Sequence, residues 1–272
     1  VQGKVLKAAV SAISARDLQI YFNDAQVEGL LGLFHADNTM PAVNGDQLLV
    51  TDVNVGASYA NADLKEQVND TIQLNADGSA THSLSITYTY PWVQHIYGSI
   101  YSPASNNYFM WYYQGVVLIM TPPTSQQLAP SSGCGYPSSY LPQPSEPGRN
   151  VFGCADEPIA NNFDTGGVDL RCGTCNKDGT ENSYGVTTTR TVRFTWRVPA
   201  AVKSVGGTHT YHLTVVHQAG THPALTVTIL TPNGQTLSSA SSSNPPLKAQ
   251  SGGLTLTLPA LTTDQDITVS YH

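Results

Sequence analysis

The stretch Arg190-Thr-Val-Arg-Phe-Thr-Trp-Arg-Val-Pro199 decides the fold class. Val192, Phe194, Trp196 and Val198 alternate with Arg193, Thr195 and Arg197. Successive side chains of a strand point to opposite faces, so this alternation predicts a strand buried on one side and wet on the other. The pattern recurs downstream. Tyr211, Leu213 and Val215 alternate with His212 and Thr214. Leu225, Val227 and Ile229 alternate with threonines, as do Leu254, Leu256 and Leu258, and then Ile267, Val269 and Tyr271. Period-two strands separated by Gly/Pro/Asn turns predict an antiparallel, Ig-like β-sandwich.

Upstream, the signals are mixed. Lys4 to Ala15 reads as a helix, with Val5, Ala9, Ala12 and Ile13 on one face. Leu18 to Phe22 reads as a strand, Ala25 to Phe34 as a second short helix, and Asp46 to Val55 as another strand. Ile72 to Leu74, a turn at Asp77-Gly78, and Ala80 to Tyr90 read as a hairpin. Tyr108 to Met120 is apolar on both faces and reads as a buried strand or pair of strands. The predicted organisation is a small α+β unit over residues 1–95, then a sandwich over 96–272, mostly β overall. A long cysteine-containing loop interrupts the sandwich at about 121–185.

Composition narrows the function. Charged residues are 11% of the 272, well under the roughly 25% usual for soluble domains. Gly (23) and Pro (17) are abundant, and Ser plus Thr is about a fifth, as in β-rich chains. A net charge of −7 argues against a nucleic-acid partner. The longest strongly apolar run, Gly115 to Met120, is too short to span a bilayer. The chain begins at Val1 without a Met or a signal peptide, which reads as a processed product, an excised domain or part of something longer.

Cys134, Cys154, Cys172 and Cys175 all lie in one Gly/Pro/Asn-rich stretch. Two readings compete: a pair of disulfides in an oxidising compartment, or a four-cysteine zinc site. Disulfides are favoured because only Cys172 and Cys175 form a close pair, whereas a zinc ribbon offers two. Pairing Cys134 with Cys154 and Cys172 with Cys175 is the simplest local choice. Closing a loop of about 20 residues, as between Cys134 and Cys154, would stabilise the fold by roughly 3 kcal/mol.

Several segments, taken in order, resemble one family. They are Asp46-Gln-Leu-Leu-Val-Thr-Asp-Val-Asn54 followed by Gly56 to Asn61, the hairpin ending in Ile86-Thr-Tyr-Thr-Tyr-Pro91, Arg190 to Pro199, and Tyr211-His-Leu-Thr-Val-Val-His-Gln-Ala-Gly220. The chain resembles the bacterial domain-of-unknown-function group four-thousand-twelve from roughly Arg16 to Gly234, with Ala219 where the family usually has Pro. Members are envelope proteins, often anchored by an N-terminal transmembrane helix and frequent in Chloroflexi-like lineages. The resemblance implies an envelope location and no established activity.

Signatures of catalysis are absent or incomplete. There is no His-Glu-x-x-His, phosphate-binding loop or dinucleotide fingerprint. Gly56-Ala-Ser58-Tyr-Ala60 departs from a nucleophile elbow at Ala60, where Gly is needed for close approach. His209, His212, His217 and His222 cluster in sequence, but His212 and His217 are separated by an odd number of positions and face opposite sides of a strand, so those two are not expected to share a metal. Asp164, Asp169, Asn176, Asp178 and Glu181 offer hard oxygen ligands, but the twelfth position of a calcium loop starting at Asn176 holds Thr187 instead of Glu. No cofactor is expected. Tyr97, Tyr101, Tyr108, Phe109, Trp111, Tyr112 and Tyr113 form an aromatic run. Tyr108, Trp111, Tyr112 and Tyr113 are candidate contacts to a glycan or a partner chain, the bland reading being that such rings fill the core.

Together these features favour a non-enzymatic extracellular or cell-surface structural protein. It would self-associate as a homo-oligomer or homopolymer, as in a filament or surface-layer-like array. A surface module that binds an envelope glycan or mediates adhesion is the alternative, and an envelope hydrolase has the least support.

Overall fold

The computed structural model describes residues 2–15, 17–18, 20–33, 45–54, 64–90, 112–132, 136–137, 150–155, 168–171, 188–243 and 247–272. The fold is a mainly-β sandwich of two sheets, with strands numbered in chain order. The larger sheet runs β13 (Leu237–Ser242), β16 (Gln265–Tyr271), β11 (Thr208–Val216), β1 (Asp46–Asn54), β4 (Tyr112–Thr121), β7 (Asn150–Ala155) and β6 (Tyr136–Pro137). Strand β10 (Val202–Val205) adds to β11, and β8 (Val168–Arg171) to β4. The second sheet runs β14 (Lys248–Gln250), β15 (Gly253–Leu258), β12 (Ala224–Leu230), β2 (Lys65–Leu74), β3 (Ala80–Tyr90), β9 (Thr188–Val198) and β5 (Gln126–Ser132).

Most neighbours are antiparallel, and the predicted alternating strands all form. Two pairs, β1 with β11 and β2 with β12, are parallel. Parallel partners need a long crossover, and here each joins an early strand to one far downstream. Strands from both sides of residue 95 therefore share both sheets. The stretch 121–185, expected as loop, contributes β5, β6, β7 and β8. These strands are short or interrupted. Strand β5 meets β9 with two register shifts, around Ala129, which is why its residues lack clean alternation.

The inner faces meet in one core. It takes Ile72, Leu84, Phe194 and Trp196 from the second sheet and Leu48, Val117, Tyr211 and Leu213 from the first. At roughly 1.5–3 kcal/mol per large apolar side chain, this burial is the main stabilising contribution. The hairpin joining β10 to β11 turns through Gly206 and Gly207, both at positive φ (58° and 82°), as a two-residue turn between twisted strands requires.

Among the described residues, helices α1 (Gln2–Ser14) and α2 (Ala25–Leu33) give the core cluster none of its side chains. Asp24 caps α2, its Oδ1 accepting the Gln26 and Val27 N–H groups at 2.9 and 3.1 Å. Leu18 and residues 20–22, expected within a strand, form neither helix nor strand. Leu18, Ile20 and Phe22 do alternate, but no strand among the described residues pairs with them to hold them extended. No helix among the described residues is long and apolar enough to cross a membrane.

Candidate functional site

A cluster of ionisable side chains crosses the core. Asp46 opens β1, and the chain enters it through Gly45 at φ 104°, where an added Cβ would meet the His212 carbonyl oxygen at 2.8 Å. The Asp46 side chain points inward, in phase with Leu48 two residues on. On the facing sheet Asp70 replaces an apolar residue between Val68 and Ile72, and His82 does the same between Ala80 and Leu84. His82 Nε2 lies 2.8 Å from Asp46 Oδ2, and Nδ1 lies 2.8 Å from Asp70 Oδ2. Tyr211 donates its hydroxyl to Asp46 Oδ2 at 2.8 Å, while the Gln47 N–H donates to Asp46 Oδ1 at 2.8 Å. Trp196, cross-strand neighbour of His82, stacks on the imidazole with ring centroids 4.3 Å apart.

Both imidazole nitrogens face carboxylate oxygens, and a neutral ring has a single N–H. The arrangement therefore holds an additional proton. Burial pushes the His82 pKa down, but the charges of Asp70 and Asp46 and the hydrogen bonds to both push it further up, to about 10. His82 is an imidazolium at neutral pH, with both nitrogens donating. Burial, then the Asp46 charge, holds the Tyr211 hydroxyl well above its ordinary range, so it stays a donor. His82, Asp46, Asp70, Tyr211 and Trp196 are all essentially inaccessible. The trio resembles a proton relay in composition, yet no substrate atom can touch it, and its geometry serves to tie one sheet to the other.

Glu66 lies further along the inner face of β2. Burial, then the charge of Asp52 on β1, pushes its carboxyl up to about 8. Gln218 clamps β1 beside this pair: its Oε1 accepts the Asp52 N–H at 2.7 Å, and its Nε2 donates to the Asp52 carbonyl at 2.9 Å. His217, immediately before Gln218, is buried. Its Nδ1 faces the Ala15 carbonyl at 3.1 Å and its Nε2 the Thr221 carbonyl at 2.7 Å, while the Gly220 N–H donates to Asp17. These bonds fasten the end of α1 to the sandwich.

The four histidines take separate positions. His209 accepts or donates to Ser204 at 2.7 Å and stacks on Tyr271, whereas His212 lies 3.6 Å from Asp266. The rings of His217 and His222 are 5.9 Å apart, but both His217 nitrogens are engaged with carbonyl oxygens. No group of three or more His, Cys, Asp or Glu side chains among the described residues is arranged to hold a metal ion.

Cys134, Cys172, Cys175, Tyr108, Trp111 and Ser58 lie outside the described residues, as do Asp164, Asn176, Asp178 and Glu181. Cys154 is on β7 opposite Val117, while Tyr112 and Tyr113 pair along β4 with Arg171 and Leu170 of β8. The Asp46–His82–Asp70 cluster was not anticipated from the sequence. Its signal is there: Asp70 and His82 occupy the apolar phase of their strands, and a polar residue in that phase must find a buried partner.

No family model matches the chain, and no curated protein matches it. Among solved structures, an M1 zinc metallopeptidase from Deinococcus radiodurans is similar at 10% identity and a TM-score of 0.34, covering 80% of this chain and 46% of that one. The chain thus spans under half of that peptidase's length. The Fcho1 Mu homology domain of Danio rerio gives 8% identity and a TM-score of 0.23, covering 80% of this chain and 81% of that one. The AChBP of Bulinus truncatus gives 12% identity and a TM-score of 0.20, covering 91% and 97% respectively. Likenesses this distant carry no argument about activity.

Proposed function

We propose that the protein is a non-enzymatic structural subunit of the cell envelope that associates with copies of itself through its N-terminal helical segment. The observation that carries this reading is the distribution of exposed apolar side chains. Nine large hydrophobic residues are exposed among the described residues, and six of them, Val5, Val10, Leu18, Tyr21, Phe22 and Val27, lie on or between α1 and α2. Tyr21 is 76% exposed and Val5 64%. Apolar residues clustered outside a completed core mark a surface that gains by being covered. Low overall charge reduces the repulsion between copies. The resemblance to the envelope family supports the location, and a cysteine-rich segment suits an oxidising compartment.

Light scattering with negative-stain microscopy tests this. The intact chain is expected to form oligomers or filaments, and the Val5→Asp/Val10→Asp/Tyr21→Asp variant to be monomeric with an unchanged β-sheet spectrum. An intact chain that is strictly monomeric across concentration overturns the reading.

A further inference from the structure

The strands of the second sheet separate charge between their inner and outer faces. In the registers of β15, β12, β2, β3 and β9, the residues Thr255, Thr228, Thr71, Ser83 and Thr195 form one continuous rank of hydroxyls. Further along this outer face Thr87 meets Thr191 at 2.9 Å and Thr89 meets Thr189 at 3.4 Å. Neighbouring ranks add the carboxamides of Gln67 and Asn69.

The same face carries Lys65, Arg193, Arg197 and Lys248. Arg197 is paired with Asp77 of the β2–β3 turn, whose carboxyl is held below its usual range first by bonds from Ser79 and then by Arg197. Lys65, Arg193 and Lys248 have no carboxylate partner among the described residues. The chain has 19 acids and a net charge of −7, yet the strands of this sheet place no acid on the outer face. The two acids they contain, Glu66 and Asp70 of β2, both point inward. The outer face of the other sheet does carry acid: Asp266 lies there, bonded to Thr214.

We infer that this face binds an acidic polysaccharide of the polyuronate type. Guanidinium and ammonium groups match sugar carboxylates, and Arg193 offers the planar fork suited to them. The hydroxyl and carboxamide ranks, spaced by strands about 4.8 Å apart, match the hydroxyls of successive sugar rings. Lys248 and Arg193 are separated by five strand intervals, about 24 Å, so a polymer chain can span the cations where a single sugar cannot. Among the described residues, the strands of this face point no aromatic ring outward, so charge and hydrogen bonding rather than ring stacking supply the recognition. The binding surface is separate from α1 and α2 and does not require that copies associate.

The test measures binding of the full chain to immobilised polygalacturonate at low ionic strength, with dextran and polyphosphate as comparison polymers. Saturable binding to polygalacturonate, weakened by salt and absent on dextran, is expected. The Lys65→Gln/Arg193→Gln/Lys248→Gln variant should bind at least about tenfold more weakly, as expected on losing even one charge-assisted contact. Lys203→Gln, on the other sheet, should bind as the parent does. Thr71→Val/Thr228→Val, which keeps the side-chain shape, should weaken binding several-fold. No binding to polygalacturonate, equal binding to dextran, tighter binding to polyphosphate, or a triple variant that binds like the parent would each overturn the assignment.

Discussion

His82 is held between two carboxylates with no access to water, so its proton is part of the fold. Its folded pKa of about 10 lies above the ordinary 6.5. The stability it contributes is therefore complete below about pH 6.5 and is lost as pH rises through 10. Glu66 adds a second slope of the same sign. With its carboxyl raised to about 8 from 4.5, its contribution falls between those values. Urea unfolding from pH 4 to pH 10 should show stability declining through both windows. Glu66→Gln should abolish the lower one and raise stability above pH 8 by on the order of 1 kcal/mol. His82→Leu leaves two buried carboxylates facing each other and should cost about 3–5 kcal/mol at neutral pH. A flat pH profile in the parent would contradict the imidazolium assignment.

Among the elements, β1 shows how side chains substitute for missing strand neighbours. Its first residues pair with β11 over Asp46 to Leu49, and the pairing stops there. Gln218 then takes over, bonding both the N–H and the carbonyl of Asp52 as another strand would. Gln218→Ala removes both bonds and should cost about 1–3 kcal/mol, with faster amide exchange at Asp52 than at Leu48. Equal exchange at the two sites in that variant would show that the clamp is dispensable. Gln218 stands in the Tyr211-to-Gly220 segment, which also supplies Tyr211 to the cluster and His217 to the contact with Ala15. The segment's regular alternation made β11 legible in advance. Nothing in that alternation indicates that Gln218 would reach back to a strand 166 positions earlier.

Across the whole molecule, the cation-bearing hydroxyl face of the second sheet and the exposed apolar residues of the N-terminal segment divide the two proposed interactions. Copies would meet through the N-terminal segment, whereas a polymer would lie along the hydroxyl ranks. Sedimentation of a chain lacking residues 2–33 should therefore show loss of self-association. Sedimentation unchanged by that deletion would place the contact in the sandwich. The sequence alone determined the class of fold, because a strand half buried on one face writes its geometry into every second residue. It also determined α1, α2 and the hairpin at Asp77-Gly78, where caps, turn residues and periodicity are local. Only the tertiary structure decided that β1, β2 and β3 would take places inside both sheets. It alone decided that Asp46, Asp70 and His82 would meet, and that the acids of β2 would face inward, away from an outer face whose strands carry no acid. Those outcomes depend on register and on which strands become neighbours. Both are set by the joint burial of side chains far apart in the chain, so no local window of sequence contains them.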